Sequence, residues 1–453
     1  MIGLDKEVAQ IAQQPTDERV RALKRIIPCA TIKSILKQCG QTRYCARLPK
    51  YFMVWFVIGM GLFATDCYRQ IFRWLQVFRP KGTPERSTLC EARQRLGVAP
   101  LYWLRQRIVQ LLAGPHTPGA FHRNLRLMAL DSFVVNLPDT ADNARIFGRP
   151  KGGRTPGAFP QARVLALCEV GTHVLWKCLL KPIRRAESVM ARTLLRYLRP
   201  DMLLMWDRGL LSYANVQAVS SRQAQLLARI KKTHVFPRLK VLSDGSYLSR
   251  MYASAKHRRH DLEGLDVRII EYTIRDSNSG GKPKVHRILT TLLDADLDPA
   301  RELIELYHQR WEEELAIDEL KTHQRERPVL RSQTPAGVVQ EIEGLLLAHF
   351  VVRKLMFEAA AQAKVAPRRI SFTGALKILR CRLPECPRNR AGLEQWYKRL
   401  LSEIAEEILP PRRDRINPRV IRCKMSKWAK KTQRHKQKTG AIKEVRDSVE
   451  IIR

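Results

Sequence analysis

Paired cysteines are missing from this chain. Ten cysteines are scattered through 453 residues without a Cys-x-x-Cys pair. The closest two, Cys381 and Cys386, have no second pair and no His-x3-His to complete a zinc site. That excludes a zinc ribbon or a disulfide scaffold, and reduced structural thiols are expected. Long apolar runs are also absent. The most apolar stretch, YFMVWFVIGMGLFA at 51–64, is too short for a bilayer and reads as a buried helix. The opening MIGLDKEVAQ is polar and acidic, unlike a secretory signal, so no membrane partner is expected. Acidic residues are scarce, with 43 Asp and Glu against 82 Lys and Arg, a net charge of +39. Such an excess costs self-repulsion and points to a polyanion, most simply nucleic acid. A hydrophobic share of 45% still supplies real cores and excludes a merely disordered basic chain.

The organisation changes along the chain. Residues 1–120 carry helical spacings broken by Gly and Pro, studded with basic residues such as Arg69, Arg73, Arg86, Arg93 and Arg95. They read as a helical N-terminal DNA-binding domain, although no helix-turn-helix register stands out. From residue 125 the order is β-β-β-α-β-α-β, with a hairpin around Gly171: a mixed-sheet α/β domain whose first part is 121–228. Residues 229–292 are β-rich, with turn signals at Asp244-Gly245 and Ser277-Asn278-Ser279-Gly280-Gly281, and read as an inserted subdomain. Long helices return in 293–400, the second part of the catalytic domain. Residues 401–453 form a basic tail, whose stretch 411–438 is expected to be flexible and to add unspecific phosphate attraction.

Three carboxylates stand out. Asp131 lies at or near the end of the first strand (LMALDS), and Asp207 ends the short strand MLLMWD, directly before Arg208. Carboxylates at strand ends face clefts in α/β sheets, though a lone one also serves as a helix cap. The third lies in YHQRWEEELAIDELK, residues 307–321. On a helix at about 100° per residue, with Tyr307 at zero, Arg310 falls at about −60°, Glu314 at about −20° and Lys321 at about −40°. Glu312 and Glu313 point away from that stripe. An acid, two cations and a phenol on one face suit a metal and a phosphate. The plainer alternative is a solvated face with i,i+4 ion pairs, or pairing with Asp318 at about +20°. Three carboxylates can hold two Mg²⁺ or Mn²⁺ ions roughly 3.5–4 Å apart, and hard oxygen ligands favour these over Zn²⁺.

The order Asp131…Asp207…Glu314 resembles the DDE transposases, whose catalytic domain has a ribonuclease H-like fold. The spacing Tyr307-x2-Arg310-x3-Glu314-x6-Lys321 is similar to the signature of their insertion-sequence-four branch. So are RPKGGRTPGAFPQARVLAL, VLSDGSY, LRSQTPAGVVQEIEGLLLAHFVVRKLM and the N-terminal RLPKYFMVWFVIGMGLF through STLCEARQRLGVAPL. The resemblance covers nearly the whole chain and is weakest in 1–25 and 435–453. It implies metal binding by Asp131, Asp207 and Glu314, and phosphate contacts from Tyr307, Arg310 and Lys321. Arg208 fits a phosphate contact or a helix cap, and Trp311 fits base stacking or burial against the sheet. The implied activity is cut-and-paste transposition in a bacterial cytoplasm, associated with the nucleoid. Double-stranded DNA would be bound as transposon ends and as target, by a homodimer in the synaptic complex.

Two other readings use parts of the same pattern. Another ribonuclease H-like nuclease needs the carboxylates but not the Tyr-Arg-Glu-Lys set. A non-catalytic DNA-binding protein derived from a transposase needs neither, and the intact carboxylates argue against it. One departure concerns the insertion: residues 232–292 hold Phe236, Tyr247, Tyr252 and Tyr272 but no Trp. A hairpin intermediate with a base held on an aromatic is therefore left open by the sequence.

Overall fold

The computed structural model describes residues 18–41, 48–75, 82–152, 155–231, 233–274, 285–308, 311–387, 389–410, 420–421, 429–430 and 449–452. Five helices lead: α1 (Cys29–Gln38), α2 (Lys50–Leu62), α3 (Tyr68–Leu75), α4 (Arg86–Leu96) and α5 (Ala99–Ile108). Strand β1 (Leu125–Asn136) and α6 (Ala141–Phe147) precede the hairpin β2 (Gln161–Glu169) and β3 (Val174–Pro182). Then come α7 (Glu187–Leu195), β4 (Met202–Trp206), α8 (Tyr213–Ser220) and β5 (Gln225–Arg229). The stretch expected to be an insertion holds β6 (Lys240–Val241), β7 (Tyr247–Met251), α9 (Ala255–Arg259), β8 (Leu265–Ile274) and β9 (Val285–Thr290). Helices α10 (Ala300–His308) and α11 (Trp311–Asp318) run into a π-helical turn, Glu319–Gln324. After it come α12 (Pro335–Ala363), α13 (Phe372–Arg382), α14 (Arg390–Glu406) and a last short strand, β10 (Val449–Ile451). The chain is thus mixed α/β with a large mixed sheet, and the order β-β-β-α-β-α-β is present with α6 added.

Two compact units emerge, the first made of Met1–Phe121, Asp131–Met190 and Glu312–Leu409. Its centre is α12, which Thr334 caps by accepting from the Gly337 amide at 3.2 Å, with Pro335 at the start. Lys364, in the left-handed region at φ 54°, ends it. By length and composition α12 could cross a membrane, yet 83% of its most apolar window is buried inside the protein. Helix α2 crosses α12 at glycines. A Cβ on Gly61 would lie 2.6 Å from the Gly344 carbonyl oxygen and 2.8 Å from Ala348 Cβ. Phe52 to Leu62 are all buried, as the run at 51–64 predicts. The N-terminal helices do not close a core of their own. Phe52, Ile58 and Leu104 share one with Val351, Leu355, Leu379 and Leu400.

Not all of the expected basic studs lie on the surface. Arg93 is buried, donating to Gln340 Oε1 at 3.0 Å, Ser332 Oγ at 2.8 Å, Tyr68 Oη at 2.5 Å and the Gly337 carbonyl. With its fork committed to core acceptors, it is unavailable to DNA. Arg105, also buried, donates to both oxygens of Glu343 at 2.5 and 3.2 Å. Burial would lower the Arg105 pKa, but the Glu343 carboxylate outweighs it and holds the guanidinium charged.

The second unit is His122–Leu130, Ala191–Trp311 and Pro410–Arg453. The first half of β1 pairs in parallel with β4, and β4 in parallel with β5. The inserted strands continue this sheet. Antiparallel β9 pairs with β5 (Leu289 opposite Ala228), β8 with β9, β7 with β8 and β6 with β7. The Asp244-Gly245 turn is present, with Gly245 at φ 85°. Buried Arg268 fastens it, pairing with Asp244 and donating to Ser246 Oγ at 2.8 Å and to the Asp298 carbonyl at 2.7 Å. The Ser277–Gly281 turn lies outside the described residues. At the ends of the basic stretch 401–453, α14 extends to Glu406 and β10 pairs with β8, Glu450 opposite Thr273. The stretch expected to be flexible, 411–438, lies outside the described residues except at 420–421 and 429–430.

Gly61→Ala tests the helix crossing. An exposed helical Gly→Ala gains roughly 1 kcal/mol, but backbone at this distance cannot yield as a side chain can. A loss of about 1–3 kcal/mol is expected, seen as a lower Tm in thermal unfolding. An unchanged or raised Tm contradicts the close crossing.

Candidate active site

The β1–β4 pairing within the second unit stops directly before two carboxylates in the sequence. The parallel pairing runs from Arg126 opposite Met202 to Leu130 opposite Trp206, and the next residues along the chain are Asp131 and Asp207. Every residue of β4 is buried, so the strand is fixed by its hydrophobic side chains and delivers Asp207 half-buried at its end. Asp131 differs from the expectation that it ends its strand. Strand β1 continues to Asn136, and only the pairing with β4 stops at Leu130. Asp131 Oδ1 accepts from the Ser132 amide at 2.7 Å. Neither aspartate caps a helix. Ser212 caps α8, accepting from the Asn215 amide at 3.3 Å, and Asp207 has no side-chain hydrogen bond among the described residues.

Tyr307 lies on α10, buried with 6% exposure, and its hydroxyl donates to the Trp206 carbonyl at 3.2 Å. A phenol has a single O–H. In this structure that donor holds the main chain immediately before Asp207 instead of facing solvent. Arg208 follows Asp207 and is exposed, without a polar partner among the described residues.

The stripe read from the sequence assumes one α-helix from 307 to 321. Residues 309–310, Arg310 among them, lie outside the described residues, between α10, described to His308, and α11, described from Trp311. Glu314 and Trp311 are helical there, and their side chains lie outside the described residues. From Glu319 the helix widens to π geometry, so the α-helical angle no longer applies to Lys321. Lys321 itself is exposed. Its neighbours in a shallow recess include Phe133 and Val135, two and four residues beyond Asp131. Asp318 pairs with Thr322 Oγ1 at 2.6 Å and His323 Nε2 at 3.5 Å, not with Lys321. Among the described residues no three His, Cys, Asp or Glu cluster in a metal-binding arrangement; the Glu314 side chain is not in that set.

Sequence reasoning missed a buried polar cluster at the C-terminal end of α11. Glu319 receives Arg353 at both oxygens, Nε at 2.9 Å from Oε2 and Nη2 on Oε1. His173 Nδ1 lies 3.0 Å from Oε1, and His349 Nε2 lies 3.4 Å from Oε2. Arg353 Nη2 also reaches His173 Nδ1 at 2.6 Å. A ring nitrogen does one thing at a time: unprotonated it accepts from Arg353, protonated it donates to Glu319. Burial would raise the Glu319 pKa, but the Arg353 guanidinium and His173 outweigh it and hold it well below the usual carboxylate range. Burial lowers the His349 pKa, and the bond to Glu319 only partly offsets this. No local pattern marks these residues, because the partners come from the β2–β3 turn and from α12.

Two families match the chain. Residues 17–106 match the insertion element 4 transposase N-terminal family, and residues 122–351 match the transposase DDE domain family. It is also 30% identical over 393 residues to the transposase InsG for insertion sequence element IS4 of Escherichia coli (strain K12), covering 83% of this chain and 86% of that one. The chain belongs to the insertion-sequence-four family of DDE transposases. This transposase is similar as well to the putative transposase InsZ of the same organism, 27% identical over 164 residues, 36% of this chain and 54% of that protein. Among solved structures, a piggyBac transposase synaptic complex with hairpin DNA aligns over 87% of this chain and 86% of that one, at 10% identity and a TM-score of 0.45. The transposase is an enzyme of insertion-sequence transposition, and DNA is its partner. Its DDE-domain match spans Asp131, Asp207 and Glu314.

Two outcomes are expected of this geometry. Tyr307→Phe removes a buried hydrogen bond and should cost about 1 kcal/mol in denaturant unfolding; a neutral result contradicts the Trp206 contact. Acid should destabilise the first unit. The unfolded chain binds a proton at the His349 position as pH falls through about 6.5, and the folded chain, with that pKa lowered, does not. Glu319, lowered in the fold, adds the same sign below about pH 4.3. Tm should therefore fall between about pH 7 and 4, and a Tm that rises on acidification contradicts the cluster.

Proposed function

We propose that the transposase cuts and pastes its element through Asp131, Asp207 and Glu314 as metal ligands on a ribonuclease H-like core. The observation that carries this reading is the parallel register ending at Leu130 and Trp206, directly before the two aspartates. The strand orders β3-β2-β1 in the first unit and β1-β4-β5 in the second support the ribonuclease H-like core. The donor set fits hard divalent cations: all three side chains offer carboxylate oxygens, and the Asp207 carboxylate is uncommitted among the described residues. Two Mg²⁺ or Mn²⁺ ions held there would activate an attacking oxygen and stabilise the leaving one.

The remaining residues have roles in gripping DNA. Lys321 and Arg208 are exposed cations suited to phosphate oxygens near the scissile bond, Arg310 adds a forked donor, and Trp311 a stacking surface. Tyr307 serves the same site by tying α10 to the strand end before Asp207, in addition to or instead of touching phosphate. The reaction is hydrolysis at the element's ends followed by attack of the freed 3′-OH on target DNA, both in-line phosphoryl transfers. Paired inverted ends call for a homodimer in the synaptic complex. The helices of 1–120 and the basic residues of 401–453 supply further DNA contacts, and the workplace is the bacterial cytoplasm at the nucleoid.

Cleavage of a transposon-end duplex with Mg²⁺ tests this reading. Asp131→Ala, Asp207→Ala and Glu314→Ala should each lower the rate by more than about 100-fold, since even outer partners of metal ligands cost 10–100-fold. DNA binding in gel-shift assays should persist. Variants that cut like the wild type sink the assignment.

A further inference from the structure

We propose that Glu319 is a positioning residue that holds the α11 helix, and with it Glu314, in register for metal binding; this rests on Glu314 being a metal ligand. Helix α11, described from Trp311 to Asp318, runs directly into the π turn at Glu319. Its apolar Ala316 and Ile317 are buried, which anchors one side but leaves rotation and rise to be fixed at the ends. The C-terminal end is where Glu319 sits, five residues beyond Glu314 and first in the π turn. Three side chains from two separate elements meet on this carboxylate. His173 comes from the β2–β3 turn at φ 57°, and His349 and Arg353 stand one turn apart on α12.

The cluster exceeds what holding a helix end requires. Arg353 and both histidines are nearly fully buried, and burying an ion pair this deeply is seldom a gain over apolar packing. Its return is geometric. Arg353 meets both Glu319 oxygens, Nε on one and Nη2 on the other, so the fork fixes direction as well as distance. Metal ligands need placement to about half an ångström, a precision that a two-point ionic fork supplies better than apolar packing. The π turn beginning at Glu319 is a locally costly geometry that needs such over-determination.

The test compares metal dependence. Glu319→Gln keeps the side-chain volume and removes the charge. It should bind transposon-end DNA like the wild type but need about 10–100-fold more Mg²⁺ for half-maximal cleavage, with saturating Mn²⁺ restoring most of the rate. Should Glu319→Gln fail to fold, the double variant Glu319→Gln/Arg353→Met removes both buried charges and should show the same shift. Glu319→Asp, which keeps the charge, should recover part of it. Glu314→Ala separates the two ideas. If Glu314→Ala still cuts, the metal-ligand reading fails and this inference with it. If Glu314→Ala is inactive while the Glu319 variants titrate Mg²⁺ like the wild type, the positioning role alone is overturned. Loss of DNA binding in step with cleavage, without a metal shift, also overturns it.

Discussion

A charge taken out of water must be paired where it is buried, and the first unit of this transposase is arranged around that requirement. Helix α12 carries the partners. Gln340 takes Arg93, Glu343 takes Arg105, Glu341 takes the amides of Arg331 and Ser332 at 3.1 and 3.0 Å, and Arg353 takes Glu319. Breaking one buried pair from one side costs about 3–5 kcal/mol, because it strands the other charge. The Arg93 and Arg105 contacts therefore fix the placement of α4 and α5 against α12. The close glycine crossing at Gly61 and Gly344 works toward the same end, since only that separation lets α2 approach the backbone of α12.

In the second unit the constraint is strand register. A one-residue slip of β4 against β1 would turn its side chains to the opposite face and move the end of the pairing away from Leu130 and Trp206. Burial of the whole of β4 makes such a slip expensive, and the Tyr307 bond to the Trp206 carbonyl pins its end. The inserted strands extend the same sheet, so the edge of β5 is covered by β9 rather than left open. Strand β4 is thus buried along its length and pinned at its end, directly before Asp207.

Much of this was legible from local pattern. The strand and helix order over 125–229, the buried helix at 51–64, the hairpin at Gly171 and the strand-end place of Asp207 all follow from periodicity and turn residues. The remainder depends on partners distant in sequence. Arg93 reads as a surface cation until Gln340 and Ser332 are seen around it. Glu319 reads as one more acid in a charged helix, because His173 stands 146 residues away. Strand β1 runs on past Asp131 to Asn136, where the sequence reading places Asp131 at or near the strand's end. The π turn was invisible as well, since spacing arguments assume a constant rotation per residue. The spacing of Tyr307, Arg310, Glu314 and Lys321 is a sequence pattern, and for Tyr307 the structure adds what spacing could not supply, a buried main-chain partner.

The central claim is that Asp131, Asp207 and Glu314 gather around one metal-binding centre. Replacing Mg²⁺ by Fe²⁺ and generating hydroxyl radicals at the bound ion maps it directly, because the backbone is cut only near the metal. The account expects cuts confined to the segments around residues 131, 207 and 314, suppressed by excess Mg²⁺ and lost in Asp207→Ala. Cuts elsewhere, or cuts that omit one of the three segments, would contradict it.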